Sequence, residues 1–183
     1  MNSLQNLGAQ PAGIPVLADD ILEFHAARLL LLFKICGISG RIDGLTKMAK
    51  LDFFVRYPQF FEEMRAYLEK KPVVPTHRPV ESSMVRYHYG PWDRRYYHVL
   101  SYLEAKGLLT VERNGSMFVF KLTDAGKQIA KRAEKSISYT GMVQQMKQVK
   151  AVLSGKSGSK LKNMVYEVFG EEVANRQRGE KIE

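Results

Sequence analysis

Residues 84–122 read MVRYHYGPWDRRYYHVLSYLEAKGLLTVERNGSMFVFKL, and their order decides the fold. Met84 to Tyr89 alternates and is rich in β-forming residues, which predicts a strand. Gly90-Pro91 ends it and opens a helix from Trp92 to Ala105. Tyr96, Val99, Leu100 and Leu103 share one face of that helix, so they belong to the core. Arg94, Arg95, His98, Ser101 and Tyr102 take its other faces, and Gly107 stops it. Leu108–Arg113 and Ser116–Leu122 then form two strands around Asn114-Gly115, a strong hairpin signal.

Upstream, Asp19 is placed to cap a helix running to Ile35 or Cys36. Ile21, Phe24, Leu29, Leu32 and Phe33 recur along it at helical spacing, and Arg28 is the polar exception. Gly37 ends this helix, and Ile38–Ile42 is a very short strand. Asp43 caps a second helix carrying Leu45, Met48, Ala49, Leu51, Asp52 and Val55. Tyr57-Pro58 breaks it and starts another over Gln59–Lys70, because proline suits a first turn but not a helix interior. Lys71–Glu81 holds three prolines and is a loop. Downstream, Thr123-Asp124 caps a helix bearing Lys127, Lys131, Arg132 and Lys135.

The pattern predicts a mainly α (α+β) fold: a winged helix-turn-helix core over 19–136, with a helical insertion at 57–83 and the hairpin as wing. Residues 1–18, small and Gly/Pro-rich, form a flexible lead-in. A helical extension, 137–172, comes after the core. Met142, Met146, Val149 and Leu153 make one apolar stripe there, and Leu161, Val165 and Phe169 mark a second helix. Neither stripe is long enough to stand alone, so each docks on the core or on a partner; these seven residues are the candidate partner-docking set. Ser154–Ser159 reads as a flexible linker and 173–183 as a charged, fraying tail.

Charge is unevenly spread over the 183 residues, whose net is +9. Residues 121–162 hold ten basic and two acidic side chains, a net of +8, which attracts phosphate backbones or acidic protein surfaces. The single cysteine, Cys36, lies in an apolar run and reads as core packing in a reducing compartment. That run is short and flanked by Arg28 and Lys34, so it does not span a bilayer. No secretory signal is visible at the start, and a cytoplasmic protein is expected.

No catalytic or metal constellation emerges, and no cofactor is expected. Asp93 followed by Glu104-Ala105-Lys106 resembles the Asp…Glu-x-Lys pattern of metal-dependent nucleases, but helix-end carboxylates do not converge as that chemistry requires. The four histidines lack ligand spacing. Gly155-Lys156-Ser157 has Lys150 where a phosphate-binding loop needs its first glycine. The serious candidate is double-stranded DNA. Arg86, His88, Arg94, Arg95 and His98 gather around the start of the recognition helix, Arg113 sits on the wing, and Lys127, Lys131 and Arg132 come after it. The competing reading makes the aromatics core and the arginines a solvated face or a protein interface.

Three segments carry a family resemblance: GLTKMAKLDFFVRYP (44–58), YGPWDRRYYHVLSYLEAKGLL (89–109) and SGSKLKNMVYEVF (157–169). Together they resemble the small middle component of three-component ABC-type systems, including the Lamassu type of anti-phage defence. The similarity runs across most of residues 19–172. It implies a non-catalytic accessory subunit that bridges an SMC-like ATPase and an effector, commonly a nuclease. The alternative is a stand-alone winged-helix repressor or antitoxin, which would bind its own promoter as a homodimer.

Overall fold

The computed structural model describes residues 21–72, 84–87, 90–170 and 181–182, with the backbone alone at 86, 87, 181 and 182. It is mainly helical with small antiparallel sheets. The expected lead-in, the Asp19 cap and most of the Lys71–Glu81 loop lie outside the described residues. In chain order the elements begin with α1 (Leu22–Cys36), β1 (Arg41–Asp43), α2 (Leu45–Arg56) and α3 (Pro58–Glu69). The chain continues through β2 (Met84–Tyr87), β3 (Gly90–Trp92), α4 (Tyr96–Ala105), β4 (Leu109–Asn114) and β5 (Met117–Leu122). It closes with α5 (Asp124–Glu134), α6 (Thr140–Leu153), α7 (Gly158–Val168) and β6 (Lys181–Ile182).

The helix–strand–helix start and the later helix–hairpin unit meet in one sheet of order β1-β5-β4. The hairpin forms where expected, one residue out of register. Asn114 pairs with Met117, so Gly115 and Ser116 are the turn. Gly115 takes φ +62°, the glycine-first pattern of a two-residue II′ turn. Gly37 and Gly107 end α1 and α4 as expected, and the Thr123 hydroxyl accepts the Gly126 amide to cap α5.

Several boundaries differ. Asp43 does not cap α2; its carboxylate is held by the Arg41 guanidinium at 2.6 Å, and Gly44 takes the N-cap at φ +93°. Gly90-Pro91-Trp92 does not open the helix but returns antiparallel along β2. α4 starts four residues later, because Asp93 binds the Arg95 amide and side chain and shapes the turn before it. The tail does not simply fray, since Lys181 and Ile182 pair with Val85 and Met84. Ser154–Ser159 is not an open linker. The Ser154 hydroxyl donates to the Lys150 carbonyl, Ser157 caps α7, and Gly158 is already helical.

α2 is the central element. Every residue from Met48 to Arg56 is buried, under α1, α3, α6 and α7. Phe53, Phe54, Tyr57, Phe60 and Phe169 stack around it, with Phe60 and Phe169 edge-to-face at 5.0 Å. Consequently the partner-docking set fails. Met146, Val149, Leu153, Leu161, Val165 and Phe169 are core residues, and Met142 packs half-buried against the same core. Their apolar stripe is consumed by α1 and α2, so the described part of the extension, through Phe169, belongs to one continuous core. Burial pushes the Cys36 thiol up to about 12, and it donates to the Met146 carbonyl, which fits the packing role expected of it.

Candidate functional site

Two of the three resemblance segments meet in a buried ionic network. Asp52 on α2 accepts from Arg28 Nε at 3.0 Å and from the Tyr96 hydroxyl at 2.8 Å. Asp93, in the turn before α4, accepts from Arg56 Nη1 at 2.7 Å and from Arg95 through Nε and Nη2 at 2.8 Å each. His25 on α1 lies between Arg28, at 2.7 Å, and Arg95, at 2.9 Å. Burial alone would raise the Asp93 carboxyl. The Arg95 hydrogen bond and the Arg56 charge overcome it and hold that carboxyl well below the usual carboxylate range. Burial, joined by the Asp52 charge, pushes the Tyr96 phenol well above its ordinary value. The network ties α1, α2 and the start of α4 together, and its strength depends on every member keeping its partner.

Arg95 is therefore not a free DNA contact. Its guanidinium is spent on Asp93 and His25, which leaves its side chain 31% exposed. Asp93 and Glu104 do not converge either: the first is buried among arginines, the second lies exposed near the far end of α4. Sequence reasoning missed the network. Its signals were Arg28 inside an apolar stripe and Asp52 and Arg56 inside the apolar run LDFFVR, where a buried charge calls for a partner.

The outer face of α4 is aromatic as much as basic. His98 is exposed there beside Tyr97 at 59% exposure, and Arg94 is exposed in the turn just before the helix. Tyr97, Leu100, Val111, Phe118 and Phe120 line a groove of about 170 Å³ between α4 and the hairpin. Leu45 and Phe118 also line an adjacent, larger cleft of about 650 Å³. Its walls are the start of α2, the start of β5 and the start of α7, and it carries Lys47, Lys156, Thr46 and Ser159. The two concavities together form a trough with an apolar end and a hydroxyl-rich end that holds Lys47 and Lys156, together with Asp43 paired to Arg41. Met117 and Phe118 are 39% and 42% exposed on its rim. The signal for them was MFVF, four consecutive apolar residues on a strand that has two faces to fill.

The remaining predicted residues are spread over several elements. Arg86 lies in β2, with its side chain outside the described residues, as is His88 altogether. Arg113 is exposed, but its Nε donates to the Gly115 carbonyl at 2.9 Å and braces the turn. Lys127, Lys131 and Arg132 are exposed on α5, which packs on α1 and β5, whereas α4 packs on α1 and β4. The structure therefore does not gather the DNA-binding set on one helix. Among the described residues no group of His, Cys, Asp and Glu is placed to hold a metal, and no helix is long and apolar enough to cross a membrane. No protein-family model, curated protein or solved structure matches the chain.

Proposed function

We propose that this chain is a non-catalytic, winged-helix accessory subunit that seats a segment of a protein partner in the trough beside α4. The observation that carries the reading is the exposure of Tyr97 and Phe118 around a concave, largely apolar groove, with Met117 exposed on the adjoining cleft. Exposed aromatics rimming a pocket are what hot spots of protein interfaces are built from. The two ends of the trough call for a segment with a large apolar side chain followed by an acidic one, the latter facing Lys47 and Lys156. The resemblance to middle components of three-component ABC-type systems supplies the partner class: an SMC-like ATPase and its effector, which this subunit would bridge.

The test is co-expression with the products of the two adjacent reading frames. Wild type co-elutes with a coiled-coil ATPase, and Tyr97→Ala/Phe118→Asp loses at least tenfold in affinity while keeping its near-ultraviolet circular dichroism. Co-elution unaffected by that pair of changes would sink the trough as the docking site. A second reading, a stand-alone repressor, draws on Arg94, exposed in the turn before α4, and His98, exposed on α4 itself, the helix before the hairpin. A homodimer with a two-half-site footprint would establish it instead.

A further inference from the structure

We infer that the face formed by α5 and α6 binds the phosphate backbone of duplex DNA without reading its sequence. α5 turns Gly126 and Ala130 inward, which leaves Lys127 and Lys131 exposed, and Lys135 at its C-cap continues the ridge at the same interval of four residues. α6 turns Val143, Met146, Val149 and Leu153 inward and leaves Lys147 and Lys150 exposed. Both helices pack on α1, and one carboxylate links them. Glu134 is 3.1 Å from Lys34 of α1 and 3.9 Å from Lys147 of α6. α6 has no acidic residue, and on α5 the other acid, Asp124, is taken by Lys127 at the N-terminal end. Lys131, Lys135 and Lys150 therefore project from a surface whose own acids do not neutralise it.

The composition of this face selects the ligand. Among the described residues, the large exposed apolar side chain beside this face is Ile137, 90% exposed in the turn that joins α5 to α6; none lies along the lysine-bearing length of either helix. A protein interface would need such anchors at its centre, whereas a polyphosphate needs flexible cations and nothing else. Lysine ammonium groups act as point charges on long stems and follow phosphates without fixing a base register. None of its lysines lines the trough, so this inference does not rest on the protein-docking reading. It reassigns nucleic-acid contact from the α4 residues to the ridge and adds Lys135, Lys147 and Lys150.

The experiment is fluorescence anisotropy of the full chain with a labelled 30-base-pair duplex of arbitrary sequence, over a salt series. Wild type binds, with log affinity falling linearly in log salt. The Lys131→Gln/Lys135→Gln/Lys150→Gln protein binds about tenfold more weakly at low salt. Its slope is shallower by about 2–3, since each phosphate contact contributes roughly 0.9. Lys131→Arg/Lys135→Arg/Lys150→Arg restores both quantities, which separates charge from folding. Arg94→Ala/His98→Ala leaves both unchanged, as does the trough variant Tyr97→Ala/Phe118→Asp. The inference is overturned if wild type does not bind the duplex, if the Gln variant binds as wild type does, or if the α4 pair carries the salt dependence. Equal affinity for poly-glutamate of matching charge also overturns it, in favour of an acidic protein.

Discussion

Lys50 shows how far one residue departs from its usual habit. It is 1% exposed in the middle of α2, with its ammonium donating to the Pro91 carbonyl at 3.0 Å. Desolvation lowers its pKa from 10.5 to about 7. The unfolded chain keeps this proton up to about 10.5 while the folded chain releases it near 7. Across that window the unfolded state binds more protons, so the Lys50 contribution makes stability rise with pH, by at most about 1.4 kcal/mol per unit. Lys50→Met keeps the volume and removes the charge. It should be roughly 1–2 kcal/mol more stable than wild type at pH 7, after allowing for the lost hydrogen bond. That advantage should shrink toward pH 10. Urea denaturation of both proteins at several pH values measures it, and a difference independent of pH would refute the assignment. Arg28, Asp52 and Arg56 are buried in the same neighbourhood but paired, which is why substitution there removes a partner rather than a penalty.

At the scale of elements, the sequence was legible where local chemistry acts alone. Gly37, Pro58, Gly107 and Thr123 mark helix ends through backbone conformation and capping, and the structure places ends at each. The β4–β5 hairpin was legible for the same reason, although the II′ turn at Gly115-Ser116 is decided by pairing across the strands and shifted the register by one. The illegible parts depended on tertiary partners. An apolar stripe has the same periodicity whether its cover is another protein or the chain's own α2, so Met146 and Leu153 gave no sign of which. The trough was hidden similarly, because Phe118 and Phe120 look alike until one is packed and the other left on the rim. The correction at α6 has a direct consequence. Leu153→Ala, at a fully buried position, should cost about 2–5 kcal/mol in the isolated protein. A partner-facing leucine would cost less than about 0.5 kcal/mol. Thermal or urea unfolding of the purified chain distinguishes the two.

For the whole molecule, the question is whether residues up to 136 fold without α6 and α7. The sequence suggested a self-contained core with an appended extension, and the packing points the other way. α2 has no solvent-facing side between Met48 and Arg56. α6 and α7 cover much of it, Gln145 donates to the Phe54 carbonyl at 3.0 Å, and Phe169 closes over Phe54 and Phe60. Removing residues 137–183 would expose that apolar surface and leave a buried carbonyl without its donor, while the Arg28–Asp52–Arg56–Asp93 charges would gain access to water. Each lost cover residue is worth about 1.5–3 kcal/mol of burial, and a domain's whole stability is only about 5–15 kcal/mol. Six buried apolar side chains from α6 and α7 contribute about 9–18 kcal/mol on that scale, as much as the whole margin: Met146, Val149, Leu153, Leu161, Met164 and Val165. A chain ending at residue 136 should therefore give no cooperative unfolding transition and no near-ultraviolet circular dichroism, even if its helical signal persists. A sharp, wild-type-like melt from that fragment would mean that the hairpin sheet, α1 and α5 suffice, and that α2 is not the element on which the fold depends.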